Sequence, residues 1–426
     1  MTTIALPAIL GGRPAVTAAH GPATAWPRLG AADEAAVLAV LRSGNISTHP
    51  VIRELEHGYA AFTGRPFALA HCNGTAALLA AFFAAGLGPG DEVLVPTATF
   101  WASVLPMAWL GAVPVFCESE PERLGIDPVD MARKITPRTR AVVVVHLWGL
   151  PSKMTEIRAL AAAHKLTVIE DASHAHGASW RGIPCGALGD LSVFSLQGDK
   201  LAPGGEGGVL LGSRREHFER AACLGDITRI RELASPARRF AATGFGMKTR
   251  IAPLSAAVAL GQLRRLEEHN ARRNRGIDHL SQALEQRGFH TFRGPAHVRR
   301  VYFEFIVRCD RKRLPLSVDL LIAALRMEGC RISRPRYPLL HQQPFFTEGH
   351  FHRVARLPAG CPAPVYAPDA LPQTARAAEA LLRLPAFADA GRDILDQYVA
   401  AFDKVLENAG RIAGLEGDGR RPLEAG

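Results

Sequence analysis

What the chain lacks narrows it first. No run of apolar residues approaches the roughly 18 needed to span a bilayer, and the longest, Ala76 to Ala85, reads as a buried helix. No membrane association is expected. The opening MTTIALPAILGGRPAV has neither the basic start nor the long apolar stretch of a secretory leader, which predicts a cytoplasmic protein. The seven cysteines, at 72, 117, 185, 223, 309, 330 and 361, form no CxxC pair and keep no regular spacing. This argues against a zinc site and a disulfide framework, leaving reduced, mostly buried thiols and no metal. The formal net charge of +10 is carried by dispersed residues, nearly all arginine, without aromatics interleaved on one element. Nucleic-acid binding is therefore not expected, and an acidic small substrate or a phosphate cofactor accounts for part of the excess.

What is present is an alternation. With 426 residues, 48% hydrophobic and 21% charged, the chain has the makeup of a soluble globular protein of two domains, or one large α/β unit with an appended lobe. Amphipathic helices are predicted at 31–43 and 51–62, stopped at Gly44 and Gly64. Apolar strands follow at 67–70, 91–96, 113–116, 140–145 and 166–170, with helices between them at 76 onward and near 103–110, 128–135 and 152–163. Such alternation means a mainly parallel sheet covered on both faces, with ligands gathering at the carboxyl ends of its strands. Gly86, Gly88 and Gly90 imitate a dinucleotide-binding turn, but they follow a helix and precede a strand, the reverse of what that turn requires.

The chemistry centres on Leu191 to Leu211, LSVFSLQGDKLAPGGEGGVLL, where one lysine, Lys200, sits between two apolar runs and against Gly204, Gly205, Gly207 and Gly208. A lysine whose neutral form burial makes accessible condenses with a carbonyl, so this stretch reads as the anchor of an aldehyde cofactor, with the glycines letting backbone pass close to a bulky ligand. Upstream, LTVIEDASHAH (166–176) is an apolar strand running into Glu170, Asp171 and two histidines. A carboxylate at the end of a buried strand needs a cationic partner, and the protonated ring nitrogen of pyridoxal phosphate is one. Asp171 is the candidate, and His174 is placed to reach the ring; His174 and His176 equally read as structural histidines. Asn73-Gly74-Thr75 opens a helix whose first amides, at Gly74, Thr75 and Ala76, suit a phosphate, although Thr75 is equally a plain N-cap. Phe100 or Trp101, at the end of the strand 91–96, is placed to stack on a planar ring. His146 also ends a strand.

Beyond the lysine, 216–240 is arginine-rich and reads as irregular surface. Pro253 to Gly288 is a long helical pattern leading into a second lobe, which carries a strand near 301–307 and a helix near 318–328. A loop, 333–346, brings Arg334, Arg336, Tyr337, His341 and Gln342, and paired arginines there point to an acidic group on a substrate. From Gly410 the tail is rich in glycine and charge and is expected to be disordered.

These segments in order resemble one family. NGTAAL (73–78), GPGDEVLVPTATFWAS (88–103), VVHLWG (144–149), VIEDASHAHGA (168–178), GDLSVFSLQGDKLAPGGEGG (189–208), GMKTRIAPLSAA (246–257) and YPLLHQQPFF (337–346) are similar to the DegT/DnrJ/StrS group of pyridoxal phosphate-dependent sugar and cyclitol aminotransferases, over roughly residues 8–405. The resemblance implies an α/β fold-type I transferase. Its large cofactor domain, with a mainly parallel mixed sheet between helices, would span 1–252, a connector helix and smaller α/β domain 253–409, and a tail 410–426. Lys200 would form the Schiff base and move the proton, Asp171 would pair with the pyridine nitrogen, and His174 would contact the ring oxygen. Phe100 would stack on the ring, and Gly74, Thr75 and Ser195 would hold the phosphate. Arg334, Arg336, Tyr337 and His341 lie where relatives bind substrate. The resemblance also implies a homodimer with shared active sites, in which Lys248, standing where many members have asparagine, approaches the partner's phosphate. The implied reaction takes an amino group from glutamate or glutamine to a keto-sugar, keto-cyclitol or similar ketone. Two alternatives stay open: a lyase or synthase on the same scaffold, like the amino-hydroxybenzoate synthases, and a non-catalytic cofactor-binding partner subunit.

Overall fold

The computed structural model describes residues 5–310, 312 and 314–417. A seven-stranded sheet forms its centre: β1 (Phe67–His71), β2 (Glu92–Pro96), β3 (Val113–Cys117), β4 (Thr139–Val145), β5 (Thr167–Asp171), β6 (Leu191–Ser195) and β7 (Gly208–Gly212), in the order β1-β7-β6-β5-β4-β2-β3. Contacts from β6 through β3 are parallel, and β7 alone runs antiparallel to its neighbours β1 and β6. β2, β6 and β7 are buried along their whole length, as continuous apolar runs covered on both faces require. Register sets the site. Asp171 pairs with Val145 on one side and Val193 on the other, so β4 and β5 end level while β6 runs two residues further to Ser195.

The apolar residues fall into two clusters. The first encloses the sheet; the second is built on β8 (Phe305–Arg308) and β9 (Leu381–Leu384), an antiparallel pair, with the helices Val318–Met327 and Arg392–Glu407. Val16 and Ala23, from the start of the chain, join this second cluster. The helix Pro253–Gln286 serves both, giving Ala256, Leu260 and Leu266 to the first and Ile277, Leu280 and Leu284 to the second.

Several elements depart from the sequence reading. The expected strand 301–307 is shorter because residues 301–304 stitch the clusters together: Val301 and Phe303 enter the first and Tyr302 the second, while the Val301 amide donates to Gly149 O at 3.1 Å. The arginine-rich stretch after β7 is helical, not irregular, over Arg215–Gly225 and Ile227–Glu232. Arg215, Arg220 and Arg231 face outward while Ala221, Ala222 and Leu224 are buried, as is Arg229, which pairs with Glu56, and Asp226 caps the second helix through Arg229 N at 3.2 Å. Residues 101–110 are two short 3-10 turns instead of one helix, and Pro106 sits at the start of the second. The tail expected to be disordered from 410 begins as a helix, Ala409–Gly417, because Ile412 finds a buried place in the second cluster. The rest of that tail, 418–426, lies outside the described residues.

Candidate active site

The carboxyl ends of β1, β2, β4, β5 and β6 open onto one cleft of 540 Å³. Each strand contributes through the residues just past its end. β6 delivers Ser195 and, five residues later, Lys200, whose amide is fixed to Gln197 O at 2.8 Å. Burial lowers the Lys200 amine from 10.5 to about 8, against the pull of Asp171, which favours the cation. Its Nζ stands 4.3 Å from the centre of the Phe303 ring. The Trp26 indole N–H donates to the lysine's own carbonyl at 3.0 Å, tying the start of the chain to the catalytic turn.

Asp171 is 6% exposed and faces the cleft. Its Oδ2 accepts from Ser103 Oγ at 2.6 Å and its Oδ1 from the Ser173 amide at 3.1 Å. Strand alternation sends the neighbouring Glu170 the other way, onto the amides of Gly186, Leu188 and Gly189 and onto His146 Nε2 at 2.9 Å. His146 is thereby a fully buried partner of Glu170 and does not line the cleft, contrary to the expectation drawn from its place at a strand end.

His174 lies flat against Phe303, ring centres 4.1 Å apart, and nearly parallel to Tyr337 at 5.6 Å. The Trp148 amide donates to its Nδ1 at 3.3 Å, which leaves the ring proton on Nε2, 3.2 Å from Tyr337 Oη. Burial, reinforced by the charges of Lys200 and Arg336, holds His174 well below its ordinary value, so it is a neutral N–H donor at working pH. His176 turns into the core instead, its Nε2 3.1 Å from Tyr59 Oη, and plays the structural part left open for it.

At the head of the helix Gly74–Ala84, Asn73 is the cap, its side chain accepting from Ala76 N at 2.8 Å. Two amides, Gly74 and Thr75, and not three, remain without an acceptor among the described residues. A Cβ on Gly74 would lie 2.9 Å from Ser195 Cβ, so only glycine lets the helix head close on β6. Two of the glycines after Lys200, Gly208 and Gly204, behave the same way. A Cβ on Gly208 would meet Asn73 O at 2.6 Å, and one on Gly204 would meet Ser255 O at 2.7 Å. These two accommodate protein backbone, whereas Gly207 packs against the Ile251 and Leu196 side chains and a Cβ on Gly205 would meet nothing within 4 Å. Phe100, 42% exposed at the cleft mouth, tilts against Trp101 and Tyr337.

The second lobe completes the wall with Arg336 and Tyr337. Arg336 pairs through Nε with Glu304 and through Nη1 with Asp199 at 3.4 Å. The other two residues expected from this loop lie elsewhere. Arg334 pairs with Asp319 at 2.9 Å and donates to Glu379 O, outside the cleft lining. His341 is fully buried, bonded to Thr97 Oγ1 at 2.7 Å, and fastens the loop to the end of β2. Lys248 is exposed and does not border the cleft. Sequence reasoning missed Ser103, Phe303 and Glu304. Ser103 closes the TATFWAS segment one helical turn beyond Thr99, whose Oγ1 lies 2.9 Å from Ser103 Oγ, and that i,i+4 spacing was the available signal. Among the described residues no group of acidic, histidine and cysteine side chains suits a metal ion.

A lysine near neutrality facing a desolvated carboxylate, beside an open helix head, is the arrangement that the family comparison then names, because the family model of the DegT/DnrJ/EryC1/StrS aminotransferases matches residues 27–402. The chain belongs to this aminotransferase family. It is an enzyme, with the α/β fold of its solved relatives. The GDP-perosamine synthase of Caulobacter vibrioides is 33% identical over 359 residues, covering 83% of this chain and 90% of that protein. The structure of DesI in the presence of its TDP-sugar product is 29% identical, with a TM-score of 0.77 over 97% of this chain and 99% of that one. The structure of 3-amino-5-hydroxybenzoic acid synthase is 27% identical, with a TM-score of 0.77 over 91% of this chain and 98% of that one. Among the described residues no helix is long and apolar enough to cross a membrane.

Proposed function

We propose that this enzyme holds pyridoxal phosphate and moves an amino group from glutamate or glutamine to the ketone of a sugar, cyclitol or similar polar molecule, working as a cytoplasmic homodimer. The observation that carries the reading is Lys200, brought to about 8 in a cleft that it shares with the Asp171 carboxylate. At pH 7.5 about a quarter of such an amine is neutral, against roughly one part in a thousand for an ordinary lysine. Likeness to proteins named for a GDP-sugar and a TDP-sugar supports the choice of ketone.

The residues present fit the cofactor. The Gly74 and Thr75 amides, with the Ser195 hydroxyl against them, offer donors for a phosphate at a helix head. Phe100 offers a ring face, Asp171 an anion, and Lys200 the amine. When bound, pyridoxal phosphate supplies an aldehyde for amines and a protonated ring that draws electrons from the adjacent carbon. Asp171, held by Ser103 and the Ser173 amide, would hold the cofactor's ring nitrogen in its protonated form. His174 presents its Nε2–H as a fixed neutral donor. Lys200, once free as an amine, takes a proton from the donor's carbon and returns one to the acceptor's side. Arg336 and Tyr337 orient the substrate on the wall facing the strand ends.

Lys248 stands exposed beside Phe245 and Met247, which are 49% and 44% exposed, and we place the second protomer on this apolar face. All seven cysteines are unpaired, as a reducing compartment allows. The test is the absorbance of the purified, cofactor-loaded protein from the near ultraviolet to the blue. Addition of glutamate or glutamine is expected to bleach the blue band. A band that ignores every donor would transfer the reading to a lyase, the chemistry of the scaffold's amino-hydroxybenzoate synthase neighbour.

A further inference from the structure

A hollow of 770 Å³ lies at the end of the sheet opposite the cleft. Arg65 precedes β1, Thr167 opens β5, Asp190 precedes β6 and Arg214 follows the antiparallel β7, so the amino ends of three strands meet the carboxyl end of a fourth there. The helix Met154–Ala163 closes one side and brings Arg158 and, just past its end, Lys165. One strand length, five residues or roughly 16 Å, separates the hollow from the catalytic cleft, and the two share no lining residue.

Its charge is one-sided. Arg65, Arg158, Lys165 and Arg214 line it against a single carboxylate, Asp190. Asp190 Oδ2 accepts from the Val168 amide at 2.9 Å, and among the described residues none of the four cations forms an ion pair. Arg214 donates only to the ring of His217, which burial and the arginine's own charge keep neutral. The cations sense one another: burial lowers the Arg65 guanidinium, Glu170 and Asp190 pull it back, and Arg158 pushes it down. Gathering like charges from three distant stretches of chain is a cost that a bound anion relieves.

Arg65 is the built part of the hollow. It is half-buried, its Nε donating to Gly186 O at 3.4 Å and its Nη2 to Gly189 O, while its Nη1 has no acceptor among the described residues. The loop that holds it is itself pinned, because the amides of Gly186, Leu188 and Gly189 are all spent on the fully buried Glu170. A guanidinium fork fixed before a ligand arrives loses little freedom on binding. Lys165 holds a left-handed position, φ +56°, that glycine usually takes at a helix end, and so adds a charge where none is needed for the turn.

We propose that this hollow is a second ligand site, taking the diphosphate group of a small molecule that does not take part in the reaction. Guanidinium forks match phosphate oxygens in pairs. The excess of three positive charges is more than the roughly two negative charges of one phosphate balance. The volume lies within the range of small-ligand sites. A molecule bound a strand length from Lys200 does not compete with the reacting partners, so the site stands or falls independently of the aminotransferase reading.

The probe is inorganic pyrophosphate, titrated calorimetrically at low ionic strength into the full-length protein loaded with pyridoxal phosphate, so that the cofactor's own phosphate site is filled. A saturable phase is expected, weakened at least tenfold in the double variant Arg158→Glu/Arg214→Glu. Both side chains are exposed, so its melting curve should match the wild type. ADP titrated beside pyrophosphate separates the sources: tighter binding assigns the diphosphate to a nucleotide, equal or weaker binding to the free ion. No phase at millimolar pyrophosphate, or a phase that the double variant keeps, overturns the proposal. So does a phase lost in Arg331→Glu, whose side chain lines a separate cavity beside the cleft. Equally tight binding of citrate overturns it too, because the hollow would then attract any polyanion.

Discussion

The two sides of the cleft are held by different forces. On the strand-end side, Asp171 is 6% exposed, its backbone lies in the ladder between β4 and β6, and both carboxylate oxygens take hydrogen bonds. On the facing wall, Arg336 has a side chain 38% exposed and is steadied by ion pairs with Glu304 and Asp199. A group built into a buried ladder moves only if strands come apart. The Asp199 half of that pairing, exposed on both sides, re-forms elsewhere for about 0–1 kcal/mol. The division suits an enzyme whose proton chemistry stays fixed while two different substrates take turns: rigid groups handle the shared step, and the adjustable wall meets each partner. Tyr337, bonded to His174, is where the two sides touch.

The sharpest way to break this contrast is to remove the rigid side's central group. Lys200→Ala is expected to lower kcat by at least roughly 10³-fold, since general acid–base transfer alone contributes about 10²–10⁴-fold. Full turnover by that variant would refute the rim as the seat of proton chemistry. The wild-type lysine also predicts a pH dependence. Its folded value, about 8, lies below the ordinary 10.5, so the amine loses its proton earlier than a free lysine as pH rises. The rate at which the cofactor-free protein captures pyridoxal phosphate should therefore climb through pH 8 and level off above it. Stability follows the same sign. The unfolded chain binds the extra proton between pH 8 and 10.5, so the penalty for burying this amine is complete below pH 8 and is relieved as pH rises across that window. Capture with a midpoint near 10.5 would mean that the cleft is wetter than the geometry implies.

A smaller effect is expected one layer behind. Ser103 touches Asp171 at 2.6 Å and is itself buried, so Ser103→Ala removes one hydrogen bond to a charged group, worth about 1.5–3 kcal/mol at most. Steady-state kinetics should give a kcat reduced roughly ten- to hundredfold with little change in KM, because the bond orients Asp171 and not the substrate. A change confined to KM would place Ser103 on the recognition side instead.

The same division explains what could be read from the residues alone. Lys200, Asp171, Gly74, Thr75, Ser195 and Phe100 follow strands whose apolar runs are unmistakable, and a parallel sheet sends all such ends to one rim. Their convergence needed no knowledge of side-chain contacts. The family resemblance then fixed their order. His146 shows the limit of that logic: a strand end supplies a position but not a direction, and His146 turned inward to Glu170. The loop 333–346 has no period at all. Of its four candidates Arg336 and Tyr337 reach the cleft, while Arg334 and His341 are claimed by Asp319 and Thr97, partners 15 and 244 residues away in sequence.

The smallest expected effect separates the two arginines of that loop, which the sequence presents as a pair. Arg334 holds Asp319 at a site where the two side chains are 38% and 78% exposed, and such surface pairs contribute about 0–1 kcal/mol. Arg334→Ala should leave kcat and KM within roughly twofold of wild type. Arg336→Ala, though equally exposed, strips Glu304 of its nearer cation and leaves that carboxylate, 3% exposed, to Arg383 at 3.3 Å. The weakly compensated charge then borders an 840 Å³ cavity that meets the catalytic cleft at Asp199 and Arg336. KM for the ketone should rise well beyond that for the amino donor, because the wall and not the rim has been altered. Equal damage from the two alanines would mean that the loop acts as a single structural unit, and the distinction drawn between a fixed rim and an adjustable wall would fail at its most exposed point.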